Sequence, residues 1–264
     1  MNHSKPFYHY EACGNSFIMF DNTDHWFPSK NVSLIKKLCV ELSIRKTDGL
    51  ILAEKKSADT VLMNYFNNDG RAADMCGNGA RATLFFAVKH LNLPAKLKLT
   101  TEKYRYHGEV SLKSDEAEIV MNSISEFDVV AIHDLYPQAM HSLYVNTGVP
   151  HAVFEVKDAA AIDLVKLSPP IRSHQRFAQG ANVGFFHRID KNHIFYRSYE
   201  RGVEDETLSC GTGVFAATLL FEKEHGLQNL QVSTKGGDFW VKKIEQGYSF
   251  KSKIDFINKG VFSL

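Results

Sequence analysis

Met75-Cys76-Gly77-Asn78-Gly79-Ala80-Arg81-Ala82 and, 134 positions later (210 − 76), Ser209-Cys210-Gly211-Thr212-Gly213-Val214-Phe215-Ala216 share one pattern: Cys-Gly-x-Gly followed at once by an apolar run. The runs are Ala82-Thr83-Leu84-Phe85-Phe86-Ala87-Val88 and Val214-Phe215-Ala216-Ala217-Thr218-Leu219-Leu220-Phe221. Each reads as a glycine-rich turn opening a helix that is apolar around most of its circumference, and such a helix is buried. A cysteine at the start of that helix meets unpaired backbone N–H groups and the positive end of the helix dipole, which favour thiolate over thiol. Most free cysteines are small buried hydrophobes, and a single Cys-Gly-x-Gly carries little weight. Its repetition, with glycines that let a ligand approach the backbone, points to a matched acid–base pair with one thiol from each half.

Bulk properties bound the rest. A chain of 264 residues with a duplicated motif divides into two domains of ordinary size. A hydrophobic share of 44% suffices for two cores. Lys plus Arg (31) nearly balance Asp plus Glu (30), with no basic run or stripe, which argues against nucleic acid as a partner. No apolar stretch approaches the ~20 residues that span a bilayer, so no membrane partner is expected either. Met1-Asn2-His3-Ser4-Lys5 leads into strand-like sequence without the apolar core of a signal peptide, and the expected location is cytoplasmic. Four cysteines without the dense spacing of a secreted scaffold fit reduced thiols. Neither motif cysteine has a Cys or His neighbour at structural-zinc spacing, so no metal is expected.

The two halves read alike. In the first, strands at Phe17–Phe20, Leu50–Ala53 and Val61–Phe66 flank a helix near residues 30–43. That helix has apolar positions Leu34, Ile35, Leu38 and Leu42, and Ser29 is its expected N-cap. The Cys76 turn, its helix to about His90, and strands near 97–101, 104–111 and 117–121 follow. In the second half, strands at 143–147 and 151–156 precede a helix beginning near Asp158, which Ser168-Pro169-Pro170 should end because proline cannot continue the hydrogen-bond ladder. Strands at 183–187 and 193–199 lead to the Cys210 turn, and its helix should stop at Gly226. The pattern predicts an α/β duplication (α+β type), with a ligand site where the halves meet.

Other polar residues gather in these positions: Asn67-Asn68-Asp69-Gly70 and Glu200-Arg201-Gly202 each end a strand, and His151 follows Pro150 at a strand start. Singly they read as a turn, a surface ion pair and an isolated histidine. Together with the cysteine motifs they resemble the diaminopimelate epimerase family, a group of cofactor-independent amino-acid racemases. Cys76-Gly77-Asn78-Gly79-Ala80-Arg81 and Glu200-Arg201-Gly202 through Glu206-Thr207-Leu208-Ser209-Cys210-Gly211-Thr212-Gly213 look like its two signature segments. Gly14-Asn15, Asp48-Gly49, Phe66-Asn67, Pro150-His151 and Asn182-Val183-Gly184 fall in the family's order, so the resemblance covers nearly the whole chain.

The resemblance implies two similar domains, 1–121 joined by 254–264 and 122–253, each a mixed sheet wrapped around a central buried helix and related by a pseudo-twofold axis. It implies that Cys76 and Cys210 are the two catalytic thiols, one removing the α-proton as thiolate and the other delivering a proton to the opposite face, with His151 and Glu200 assisting their ionisation. Backbone N–H groups of Gly77-Asn78 and Gly211-Thr212 would hold the α-carboxylate. Asn15, Asn67, Asn182, Glu200 and Arg201 would make the remaining substrate contacts, Arg201 on the distal carboxylate. No cofactor is needed, because fixed donors at the carboxylate in a dry site stabilise the developing carbanion.

Departures from the family pattern bear on the substrate. Val149 stands before Pro150 where members often carry Asn, Gly49 where some carry Gln, and Gly202–Glu206 is one residue longer than usual. Cys13, two residues before Asn15, reads as a packing residue. The expected function is conversion of LL- to meso-diaminopimelate, serving lysine and peptidoglycan precursors. The alternatives are a two-thiol racemase of other or broader specificity, glutamate included, and a redox-switched amino-acid-binding protein without turnover. The sequence leaves a homodimer open.

Overall fold

The computed structural model describes residues 4–45, 47–73, 75–122, 130–245 and 247–263. The chain forms two compact units, Met1–Met121 with Phe250–Leu264, and Asn122–Ser249. In chain order the first unit runs β1 (Ser4–Ala12), β2 (Asn15–Asp21), α1 (Val32–Glu41), β3 (Gly49–Lys55), β4 (Thr60–Asn67), β5 (Ala72–Ala73), α2 (Gly77–His90), β6 (Lys96–Thr100), β7 (Arg105–Ser111) and β8 (Glu116–Asn122). The second runs β9 (His141–Asn146), β10 (Pro150–Glu155), α3 (Leu164–Arg172), β11 (Asn182–Asp190), β12 (His193–Glu200), β13 (Asp205–Thr207), α4 (Gly211–His225), β14 (Asn229–Thr234) and β15 (Gly237–Ile244). Through β16 (Gly247–Lys253) the chain returns to the first unit, which β17 (Asp255–Ser263) completes by pairing antiparallel with β1.

Strand pairing repeats between the units in the same sequence of senses. β1 pairs antiparallel with β2, β2 parallel with β3, β3 antiparallel with β4, β4 parallel with β6, and β6 antiparallel with β7. β9, β10, β11, β12, β14 and β15 do the same in turn. The short β5 and β13 lie antiparallel to β4 and β12 just before the two central helices. β3 begins at Gly49 directly opposite Asn67, the last residue of β4, and β11 and β12 correspondingly begin at Asn182 and end at Glu200.

Each sheet is covered on both faces, which is why its central strands are continuously apolar. Six strands of the first unit pack on α2, whose residues Asn78–Ala87 are all buried. β9–β12 pack on α4, buried from Gly213 through Thr218. The hydroxyls of Thr83 and Thr218 donate to the carbonyls of Gly79 and Val214 at 2.8 and 2.9 Å, so neither buried helix leaves an unpaired hydroxyl inside its sheet. On the opposite faces, Ile35 and Leu38 of α1 sit over Ile18, Phe20, Leu50 and Leu52, and Leu164 and Ile171 of α3 sit over Phe154, Val183 and Phe185.

Two local expectations differ from the structure. The N-cap of α1 is Asn31, whose side chain accepts from the Leu34 N–H at 3.0 Å, and not Ser29. α3 begins at Leu164 after the cap Asp163 and runs through Pro169 and Pro170 rather than stopping there. The carbonyls deprived of an amide partner by these prolines are those of Val165 and Lys166, both exposed residues where water can serve instead. Gly226 does end α4, taking a φ of +74°.

Candidate active site

In the first unit Cys76 caps α2. Its backbone is extended (φ −138°, ψ 116°), its carbonyl accepts from Ala80 N–H at 2.7 Å, and its Sγ accepts from Gly79 N–H at 3.4 Å. The side chain of Asn78, in the first turn of α2, donates through Nδ2 to Asn15 Oδ1 at 2.6 Å and accepts from Arg81 Nη2. Arg81 is 2% exposed and donates through Nε to Ser252 Oγ at 2.8 Å. Asn15 reaches this cluster because Gly14 takes a φ of +80° between β1 and β2, a turn that favours glycine. Asp48 accepts from Ser16 N–H at 2.9 Å and so fastens the start of β3 to β2.

The second unit repeats the cap with different neighbours. Cys210 is again extended (φ −128°, ψ 107°), and its carbonyl accepts from Val214 N–H at 2.8 Å. Its Sγ lies 3.5 Å from Thr212 Oγ1, which lies 3.0 Å from Nε2 of His151. The ring of His151 is completely buried, and its Nδ1 has no hydrogen-bond partner among the described residues. Glu200 accepts from the Thr207 hydroxyl and also meets the Cys210 thiol. Asn182 Oδ1 accepts from Arg201 N–H at 2.8 Å, and Arg201 donates through Nη1 to the Gln179 carbonyl at 2.7 Å.

Burial governs the electrostatics. It pushes the Cys76 thiol up to about 11, against the pull of the Gly79 N–H, while the Asp48 charge adds to the rise. Cys210 is held well above the ordinary thiol range, by burial first and by the Glu200 carboxylate second. The helix termini therefore do not prevail: desolvation outweighs them and favours the thiol form of both groups. Burial, then the Arg201 charge, lowers His151 to about 3, leaving a neutral imidazole.

Of the residues expected from sequence, the first unit brings together Asn15, Cys76, Gly77 and Asn78; Asn67 stands exposed at the end of β4. The second brings Cys210, Gly211 and Thr212 together with His151 and Glu200, and ties Asn182 to the Arg201 backbone. A Cβ at Gly77 would meet nothing within 4 Å, so the backbone there is open to a ligand. Gly49 admits no side chain: a Cβ would come 2.1 Å from the Phe66 carbonyl oxygen. Arg81, which ties Asn78 to Ser252 in this cluster, has no separate role assigned to it from the sequence. Its signal was present, since Arg81 is the one charged residue between Met75 and Val88.

The sequence profile of the diaminopimelate epimerase family matches residues 7–125 and 143–253. The chain is 35% identical over 237 residues to the diaminopimelate epimerase of Flavobacterium psychrophilum, covering 89% of each chain. It is 31% identical over 242 residues to that of Thermotoga maritima, covering 91% of this chain and 94% of the relative. Among solved structures, a phenazine biosynthesis protein of the PhzF family from Enterococcus faecalis matches with a TM-score of 0.74 at 14% identity, covering 99% of this chain and all of that one. A hydroxyproline epimerase from Agrobacterium vitis matches with a TM-score of 0.66 at 14% identity, covering 99% of this chain and 93% of that one. At such identities these two share the fold alone. With matched caps at Cys76 and Cys210 and a profile spanning both units, the chain belongs to the diaminopimelate epimerase family.

Proposed function

We propose that this protein interconverts LL- and meso-diaminopimelate by proton transfer at one α-carbon, with Cys76 and Cys210 as the two acid–base groups. The observation that carries this reading is the pair of extended cysteine caps, each at the first turn of a buried helix. One sulfur, as thiolate, takes the α-proton and becomes a thiol. The other thiol gives its proton to the opposite face and becomes the thiolate, so the configuration inverts and the proton count of the enzyme is unchanged. Backbone N–H groups of Gly77, Asn78, Gly211 and Thr212 are the candidates for the α-carboxylate, because first-turn N–H groups have no partner within their own helix and favour an anion. Withdrawing charge from the carbanion onto that carboxylate is what makes a weak carbon acid accessible to a thiolate.

Asn15, oriented by Asn78, and Asn67, Asn182, Glu200 and Arg201 are the candidates for the rest of the substrate, with Arg201 suited to the distal carboxylate. Thr212 joins Cys210 to His151, whose neutral ring can share the thiol proton through the hydroxyl. The reading includes a cytoplasmic location; among the described residues no helix is long and apolar enough to cross a membrane. The test is incubation with single diaminopimelate stereoisomers in D2O. Conversion with one deuterium gained at the inverted carbon supports the proposal. Absence of both exchange and inversion, with the amino acid still bound, would identify a binding protein instead.

A further inference from the structure

Away from the thiols, one group of metal-ligating side chains converges among the described residues. His141, Glu155 and His225 each offer one ligand atom, and the three atoms lie within 4.8 Å of one another. His141 opens β9 directly opposite Glu155, the last residue of β10, and His225 is the last residue of α4. We propose that these residues form a binding site for a divalent transition cation, for which zinc is the best match.

The donor set is two imidazoles and a carboxylate, the borderline-to-hard combination that takes zinc with a fourth position left for water. Glu155 is 1% exposed, and both its oxygens face His225 Nε2, at 2.8 and 3.1 Å. A desolvated carboxylate of this kind gains more from a dication than from an imidazole alone. His141 has its Nδ1 3.2 Å from Glu224, the carboxylate support that fixes ring orientation in zinc sites. In a tetrahedral site ligand atoms about 2.1 Å from the ion stand about 3.4 Å apart, so a pair 4.8 Å apart has to close by about 1.4 Å, which a rotation of the half-exposed His141 supplies. The carbonyl end of α4 adds negative potential at His225. A surface cavity of ≈ 890 Å³, lined by His225, Arg188 and Asn192 among others, supplies the route from solvent.

Arg188 opposes binding. Its Nη1 lies 3.1 Å from His225 Nδ1, and an N–H donated there places the ring proton on Nε2, the nitrogen the cation would take. Binding moves that proton to Nδ1 and turns the exposed Arg188 away. Along α4, with His225 15 residues after Cys210, the site stands roughly 22 Å from Cys210 at ~1.5 Å per residue, so it takes no part in proton transfer at the thiols.

Zinc is titrated calorimetrically into the full-length Cys76→Ser/Cys210→Ser protein, which lacks the two motif thiols as competing ligands. One equivalent is expected to bind. His225→Ala, His141→Ala and Glu155→Gln should each weaken binding at least tenfold, Glu224→Gln should weaken it by about 10–100-fold, and Arg188→Ala should tighten it. Cobalt in place of zinc should give the visible absorption of a tetrahedral site. Absence of stoichiometric binding, or affinities unmoved by these substitutions, would mean that Glu155 and His225 are an ordinary ion pair and would overturn the proposal. If Glu155→Gln does not fold, His141→Ala and Arg188→Ala, at half-buried and exposed positions, carry the same decision.

Discussion

The turn at Cys76 and the turn at Cys210 are one backbone with two electrostatic settings. Both cysteines are extended caps on buried helices, preceded by a short strand and enclosed by the same succession of parallel and antiparallel pairs. Cys76 meets the Gly79 and Asn78 N–H groups and the charge of the buried Arg81, which favour the thiolate, and the Asp48 carboxylate, which opposes it. Cys210 meets the Glu200 carboxylate, which opposes the thiolate, and the Gly213 N–H and Thr212 hydroxyl, which favour it, the hydroxyl standing beside a neutral His151. Duplication thus preserved the geometry of the thiol while the side chains around it diverged. The two thiols therefore differ in their charged neighbours, Glu200 beside Cys210 and Asp48 with Arg81 about Cys76.

The comparison breaks most directly at the thiols. Cys76→Ala and Cys210→Ala should each cost inversion at least about 10²–10⁴-fold, the span of general acid–base catalysis, measured by chiral separation of diaminopimelate isomers. A variant that kept near-wild-type turnover would show that its half does not use a thiol. Next comes the packing of the two helix starts. A Cβ on Gly213 would sit 2.2 Å from the hydroxyl of the buried Tyr196, whereas one on Gly79 would sit 3.2 Å from the tip of Ile51. Gly213→Ala should therefore cost about 1–3 kcal/mol in denaturant unfolding, and Gly79→Ala distinctly less. Equal costs would remove this difference between the units.

Charge tests sharpen the contrast. Arg81→Met removes a cation that favours thiolate at Cys76, so that thiol should ionise at higher pH; Glu200→Gln removes an anion beside Cys210, so that thiol should ionise at lower pH. Ultraviolet absorbance of thiolate during a pH titration reads both, and shifts in the same direction would contradict the assignment. Arg81→Met also leaves Asn78 and Ser252 without a donor and should cost about 1–3 kcal/mol of stability. The smallest effect is kinetic. Iodoacetamide should label Cys76 faster than Cys210, and both rates should climb as pH rises from neutral, because only the thiolate attacks. Peptide mapping of partly labelled protein gives the order directly.

What was legible in the sequence followed from local rules. Two helices apolar on every side had to be buried, and a Cys-Gly-x-Gly turn at the head of each had to bring a thiol to its first turn. The strands came from short apolar runs, and the repeated order of elements announced a duplication. Local rules failed where a neighbour in space decided the outcome. Asn31 displaced Ser29 as cap because the chain turns at Phe27–Asn31 before the helix begins. α3 kept its two prolines because their face is exposed to solvent, a fact no window of sequence contains.

The site shows the same division. Sequence alone determined which residues are the candidates for the chemistry, because cysteine identity, glycine spacing and helix phase are properties of a few consecutive positions. Only the tertiary structure decided what those residues are electrostatically. Asn15 meets Asn78 across 63 positions and Arg81 meets Ser252 across 171, so the cluster behind Cys76 exists only once β1, β2 and the returning C-terminal strands close on α2. His151 meets Thr212 across 61 positions, and desolvation, which depends on everything packed around a group, reversed the thiolate preference that the helix starts would impose by themselves.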